Sequence, residues 1–140
     1  MTYTRRQIAI KTAKLRSKSH VPTSDAGHCL REVRECLAIP LKYPTAFEAW
    51  HHADKQHRAP VQGGDALAEF LKDIPRGVPV FWGKDEGHVA LWTGYGNNIW
   101  STDILRTGYF DKVNYSLIHT KWRKPFLGWT EDLNGVPVYP

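Results

Sequence analysis

The stretch Gly87-His88-Val89-Ala90-Leu91-Trp92-Thr93-Gly94-Tyr95-Gly96-Asn97-Asn98-Ile99-Trp100-Ser101-Thr102-Asp103 decides how this chain folds. Two β-prone runs, His88 to Thr93 and Asn98 to Asp103, flank Gly94-Tyr95-Gly96-Asn97. Glycine and asparagine reach positive φ at little cost, so the segment predicts a β-hairpin. A two- or four-residue loop centred between Tyr95 and Gly96 fixes the register: Trp92 faces Ile99, Ala90 faces Ser101, and His88 faces Asp103. An imidazole beside a carboxylate is two thirds of a nucleophilic triad, because the acid fixes the tautomer and leaves the other ring nitrogen free to take a proton. What such a pair needs is a nucleophile.

Cys29 is the candidate. After a loop by composition, Ser19 to Gly27, the residues Leu30, Val33, Cys36 and Leu37 form one apolar stripe, with Arg31, Glu32, Arg34 and Glu35 expected to face outward. Cys29 thus falls in the first turn of a helix stopped by Pro40. Unpaired backbone N–H groups and the helix dipole there favour an anion, so the thiol is expected to ionise more readily than a free one. Cys36 lies in the stripe and reads as core. Seven residues apart on one helix, the two cysteines are about 10 Å from each other, beyond the roughly 7 Å a disulfide spans, and are expected to be free thiols.

Thr4-Arg5-Arg6-Gln7 has the form of a capping box and opens a helix of about residues 5–17, with Ile8, Thr12 and Leu15 on one side. Pro44-Thr45-Ala46-Phe47-Glu48 opens a further helix with Phe47, Trp50 and Ala53 inward, and Asp65 to Asp73 reads as a short helix. Val78 to Trp82 is a strand turning back through Gly83–Gly87 into His88. Tyr109 to Tyr115 is another strand, Ser116 to Trp122 a short helix, and Phe126 to Trp129 a last strand before a loop at Asn134-Gly135. Helices first and a meander of strands after predict an α+β fold, with helices packed on an antiparallel sheet.

With 140 residues, 41% of them hydrophobic and 24% charged, the chain has the composition of a single soluble domain, and no apolar run approaches the roughly 18 residues of a membrane span. Residues 1–19 lack the apolar core of a secretory signal. The net charge is +5, and residues 1–20 carry six basic side chains and no acid, leaving 13 basic against 14 acidic elsewhere. Arg5, Arg6, Lys11 and Lys14 are therefore candidates to bind an anionic partner, a wall polymer or phospholipid head groups before a nucleic acid; the alternative is a solvated helix face. Trp82, Trp92 and Trp100 are candidates to line a substrate cleft, against core packing as the alternative. His51, His52 and His57 lack ligand-like spacing, so neither a metal nor another cofactor is expected.

A cysteine opening a helix, a histidine on a strand and an acid on the adjoining strand suit acyl transfer through a thiolate, with the Cys29 backbone N–H as an oxyanion donor. The runs Gly27–Arg34, Val78–Trp82, Gly87–Leu91, Ser101–Asp103 and Gly128–Gly135 resemble the papain-like CHAP and NlpC/P60 peptidoglycan amidases, and more narrowly the small endolysin-type versions carried by bacteriophages of actinobacteria. The resemblance implies a papain-like fold and a cysteine peptidase or amidase that cleaves amide bonds in peptidoglycan. Cys29 is then the nucleophile, His88 the base and Asp103 the third residue. It also implies synthesis in the host cytoplasm and action at the cell wall, from a lysin or a virion-associated protein. Two alternatives stay open: a non-enzymatic phage structural or nucleic-acid-binding protein that keeps the fold, and a cysteine acyltransferase or isopeptidase.

Overall fold

The hairpin closes through a four-residue loop in the expected register, with Trp92 opposite Ile99 and Leu91 opposite Trp100. Gly94, Gly96 and Asn97 all take positive φ, and the Thr93 N–H donates to the Asn98 carbonyl to start the ladder. The computed structural model describes residues 4–18, 29–61 and 63–140. The expected loop from Ser19 to Gly27 lies outside them. In chain order the elements are α1 (Arg5–Lys18), α2 (Cys29–Cys36), α3 (Ala46–His51), β1 (Gln56–Arg58), α4 (Asp65–Lys72), β2 (Pro79–Trp82), β3 (His88–Trp92), β4 (Asn98–Thr102), β5 (Phe110–Asn114), α5 (Ser116–Trp122), β6 (Phe126–Thr130), β7 (Asp132–Leu133) and β8 (Val136–Pro137). The fold is α+β: six antiparallel strands in the order β1-β6-β2-β3-β4-β5, with a separate β7-β8 ribbon.

Strand alternation sorts the sheet into two faces. Trp82 pairs with His88, and this face meets α5, where Trp122 stands edge-on to the His88 ring. Phe81 points the other way and packs on Trp50 of α3, while α1 and α2 pack on β5 and β3. Both sides of the central strands are thus covered, and β2 and β3 are buried along their whole length.

The helix starts form as their side chains dictate. The Thr4 N–H donates to Gln7 Oε1 at 2.8 Å while the Gln7 N–H donates to Thr4 Oγ1 at 3.1 Å, a reciprocal capping box. Thr45 Oγ1 accepts from the Glu48 N–H at the start of α3. The buried face of α1, however, is Ala9, Ile10 and Ala13, while Ile8 and Leu15 are exposed. Two alanines let the helix axis approach the sheet closely, and Arg16 on the same side reaches Glu32 of α2 at 2.6 Å. Glu32 is consequently buried instead of outward, and Phe47, expected inside, is exposed.

Three short strands, β1, β7 and β8, were not legible in the pattern. The edge strand β1 carries His57 in a polar tract with no alternation, and it is held by pairing with β6. Gly128 makes that pairing possible: its φ is +133°, and a Cβ there would sit 1.9 Å from the His57 carbonyl oxygen. The Asn134-Gly135 loop is the two-residue turn of the β7-β8 ribbon.

Candidate active site

Three segments converge at one end of the sheet, around an open cleft of about 1200 Å³ whose walls include Cys29, His88 and Asp103. Cys29 is the first residue of α2, and α2 packs on β3. His88 is the first residue of β3, directly after a turn in which Gly87 takes φ +74°. A Cβ on Gly87 would lie 3.0 Å from both the Phe47 nitrogen and the Trp82 carbonyl oxygen, so glycine is what lets the turn seat against α3. The Phe47 N–H donates to the Glu86 carbonyl at 2.8 Å, fixing that wall of the cleft to α3.

The imidazole is immobilised. It is 4% exposed and lies between two indoles, Trp82 at 5.8 Å and Trp122 at 5.0 Å between ring centroids. Its Nε2 is 2.7 Å from Ser101 Oγ, and Ser101 Oγ is 3.2 Å from the Thr102 carbonyl oxygen. The network sets the tautomer. A serine hydroxyl has one proton; directed to the Thr102 carbonyl, it leaves the oxygen lone pairs to accept from Nε2–H. Nδ1 then carries the free lone pair, and it has no hydrogen-bond partner among the described residues.

Asp103 does not take the place the hairpin register predicts for it. The register holds next to the turn, at Trp92–Ile99 and Leu91–Trp100, but β4 ends at Thr102, and Asp103 turns out of the strand with φ +68°. Its Oδ1 accepts from the Gly108 N–H at 2.5 Å, closing the 103–108 loop, from which Asp103 and Thr107 line the cleft, and no ion pair within 4.0 Å joins it to His88. Ser101 is the diagonal neighbour of His88 on the same face of the hairpin, close enough for a side chain to reach. Asp103 acts electrostatically on Cys29 instead.

Burial dominates the ionisation of both reactive groups. It pushes the Cys29 thiol up to about 11, with the Asp103 carboxylate adding to the rise. The backbone N–H groups of Val89, Leu30 and Cys29 pull in the opposite direction. The expected helix-start effect is therefore present but outweighed, and the thiol is harder to ionise than a free one, not easier. Burial likewise pushes His88 down to about 3, assisted by the positive charge of Lys124. At neutral pH the pair is a thiol and a neutral imidazole. No hydrogen bond within 4.0 Å joins the Cys29 sulfur to His88 among the described residues.

Trp82, Trp92 and Trp100 are core residues, each at most 3% exposed, and none lines the cleft. The tryptophan that does is Trp122, beside Lys124. Trp122 ends α5 and Lys124 follows it, and nothing in their local pattern ties them to a histidine more than 30 residues earlier. The charges around the cleft are of both signs: Arg31 and Arg34 on the α2 side, Asp85 and Glu86 on the β2-β3 turn. Cys36 is a buried free thiol, and burial pushes it up to about 12.

The basic residues of α1 divide into two groups. Arg5 Nη1 donates to the Leu37 and Ala38 carbonyls at 2.7 and 2.9 Å, tying α1 to the end of α2. Arg6 Nη1 donates to the Arg76 carbonyl at 2.9 Å, and its guanidinium lies over the Tyr139 ring. These two serve the fold. Lys11 and Lys14 are exposed. His52 stacks on Tyr43, His51 meets Phe47 at a tilt, and His57 stacks on Trp129 while bonding Glu131. No helix among the described residues is long and apolar enough to cross a membrane. No protein-family model, curated protein or solved structure matches this chain.

Proposed function

We propose that the chain is a papain-like, CHAP or NlpC/P60-type cysteine hydrolase of amide bonds in bacterial peptidoglycan. The observation that carries the proposal is the convergence of Cys29, at a helix start, and an imidazole anchored through Nε2 by Ser101 on the walls of one open cleft.

The chemistry follows from the protonation states. His88 Nδ1 removes the thiol proton as the sulfur attacks the substrate carbonyl carbon, so the charged pair forms during reaction instead of at rest. The backbone N–H groups that face the sulfur, those of Cys29, Leu30 and Val89, favour this by offsetting negative charge developing there. The imidazolium then gives its proton to the leaving amine. Water, deprotonated by the same Nδ1, attacks the thioester carbon, and the Cys29 thiol is regenerated with a new carboxylate. Ser101 holds Nε2–H throughout and so leaves Nδ1 as the nitrogen that exchanges the proton.

A cleft lined by both signs of charge suits a peptide that carries carboxylates and amines together, as peptidoglycan stem peptides do. Activity on them places the protein's work at the cell wall. Release of new primary amines from purified cell walls tests the proposal. Wild type should release them, while Cys29→Ala and His88→Ala should not; equal release by Cys29→Ala would defeat it.

A further inference from the structure

A second concave site lies away from the cleft and shares no lining residue with it. It has a volume of about 190 Å³ and is lined by Lys14 of α1, Lys112 of β5, Arg76 from the turn before β2, and Thr93, Tyr95 and Trp100 of the hairpin. Three cations thus converge from three separate parts of the chain. None of them takes part in an ion pair among the described residues. Arg76 Nη1 donates to the Tyr95 hydroxyl at 3.1 Å and its guanidinium lies over that ring, while its buried Nε has no partner among the described residues. Lys18, one turn after Lys14 on the same face of α1, extends the positive surface along the helix.

We propose that this site binds a flexible, non-aromatic phosphodiester polymer, one phosphate seated among Lys14, Arg76 and Lys112 and the next along α1 toward Lys18. Like charges held around one concavity repel each other unless an anion neutralises them, and a polymer with regularly spaced phosphates satisfies both the concavity and the helix face. A single-stranded nucleic acid is the less suitable occupant, because base stacking needs open aromatic faces. Trp100 is 3% exposed, and the exposed Tyr95 already has Arg76 on its ring. The site is remote from the cleft, so the proposal does not depend on what Cys29 does.

Fluorescence anisotropy with end-labelled poly(glycerol phosphate), using the Cys29→Ala protein at several salt concentrations, tests it. Binding should be saturable and weaken as salt rises. The double variant Lys14→Gln/Lys112→Gln, both positions exposed, should bind roughly tenfold more weakly and with a salt slope smaller by about two. Lys72→Gln, a remote exposed lysine, should change nothing. Absence of saturable binding, or equal affinity in the double variant, overturns the site. Tighter binding of an oligothymidylate, or equal binding of polyglutamate, overturns the choice of ligand. An independent assay of wall cleavage by wild type separates these outcomes from failure of the hydrolase proposal.

Discussion

Replacing Ser101 with alanine removes one oxygen from a completely buried position and leaves the His88 Nε2–H without an acceptor. A buried donor left unsatisfied costs about 1–3 kcal/mol. The ring has an escape: it can move its proton to Nδ1, which sheds the penalty but converts the reacting nitrogen from base to donor. If the whole cost falls on the competent tautomer, its population drops by roughly 5- to 150-fold, at tenfold per 1.4 kcal/mol. The rate constant for amide cleavage should therefore fall by that range with KM little changed, and thermal unfolding should show a loss of up to about 3 kcal/mol. Asp103→Asn is the paired measurement. The amide oxygen can still accept from Gly108, so the loop survives, and removing a negative charge near Cys29 makes the thiol easier to ionise. Asp103→Asn should retain activity within a few fold and show faster alkylation of Cys29 at a given pH. Steady-state kinetics in which Asp103→Asn is crippled and Ser101→Ala is normal would refute the assignment of Ser101 and restore the acid to the triad.

Three further outcomes follow from burial and backbone geometry. Alkylation of Cys29 by iodoacetamide should accelerate with each unit of pH to near 11, and Cys36 should react more slowly throughout; a plateau already reached at neutral pH would mean a preformed thiolate–imidazolium pair. The folded state holds His88 neutral down to about 3, whereas the unfolded chain protonates near the ordinary value of 6.5, so the unfolded state binds the extra proton in between. Stability due to this residue is complete above 6.5 and declines as pH falls toward 3, at about 1.4 kcal/mol per unit, and urea unfolding of His88→Gln should lack that slope. Gly128→Ala should detach β1 from β6 and cost more than about 1 kcal/mol, seen as lost amide protection at residues 56–58, because a Cβ meets the His57 carbonyl and positive φ strains any other residue; unchanged protection would show that the edge strand does not depend on this contact.

The parts of the fold that short-range chemistry dictates were legible in the sequence. Glycine and asparagine at the hairpin turn fixed the register, and both threonine caps marked helix starts that form as read. What escaped depends on where a chain goes after its local pattern ends. The register argument holds at the turn, where Trp92 faces Ile99, but it also placed Asp103 opposite His88, and there the chain has left the strand at positive φ with its carboxylate on the Gly108 N–H. Ser101, two residues earlier on the same face, was the available signal, since diagonal neighbours on a hairpin also touch. The repeated Arg-Glu pattern of α2 concealed that Glu32 is buried, because its partner Arg16 comes from another helix. Likewise the thiol's position at a helix start was readable, while the protein packed around it, which reverses the direction of its pKa, was not.

The measurement closest to the central claim is digestion of purified peptidoglycan in heavy-oxygen water, with fragments resolved by mass spectrometry. Hydrolysis through a Cys29 thioester predicts fragments that each gain one heavy oxygen at a new peptide carboxylate, formed by wild type and absent with Cys29→Ala. Unlabelled fragments joined to a new amine would show transfer instead of hydrolysis. Walls left intact by wild type, or labelled equally by Cys29→Ala, would contradict the account.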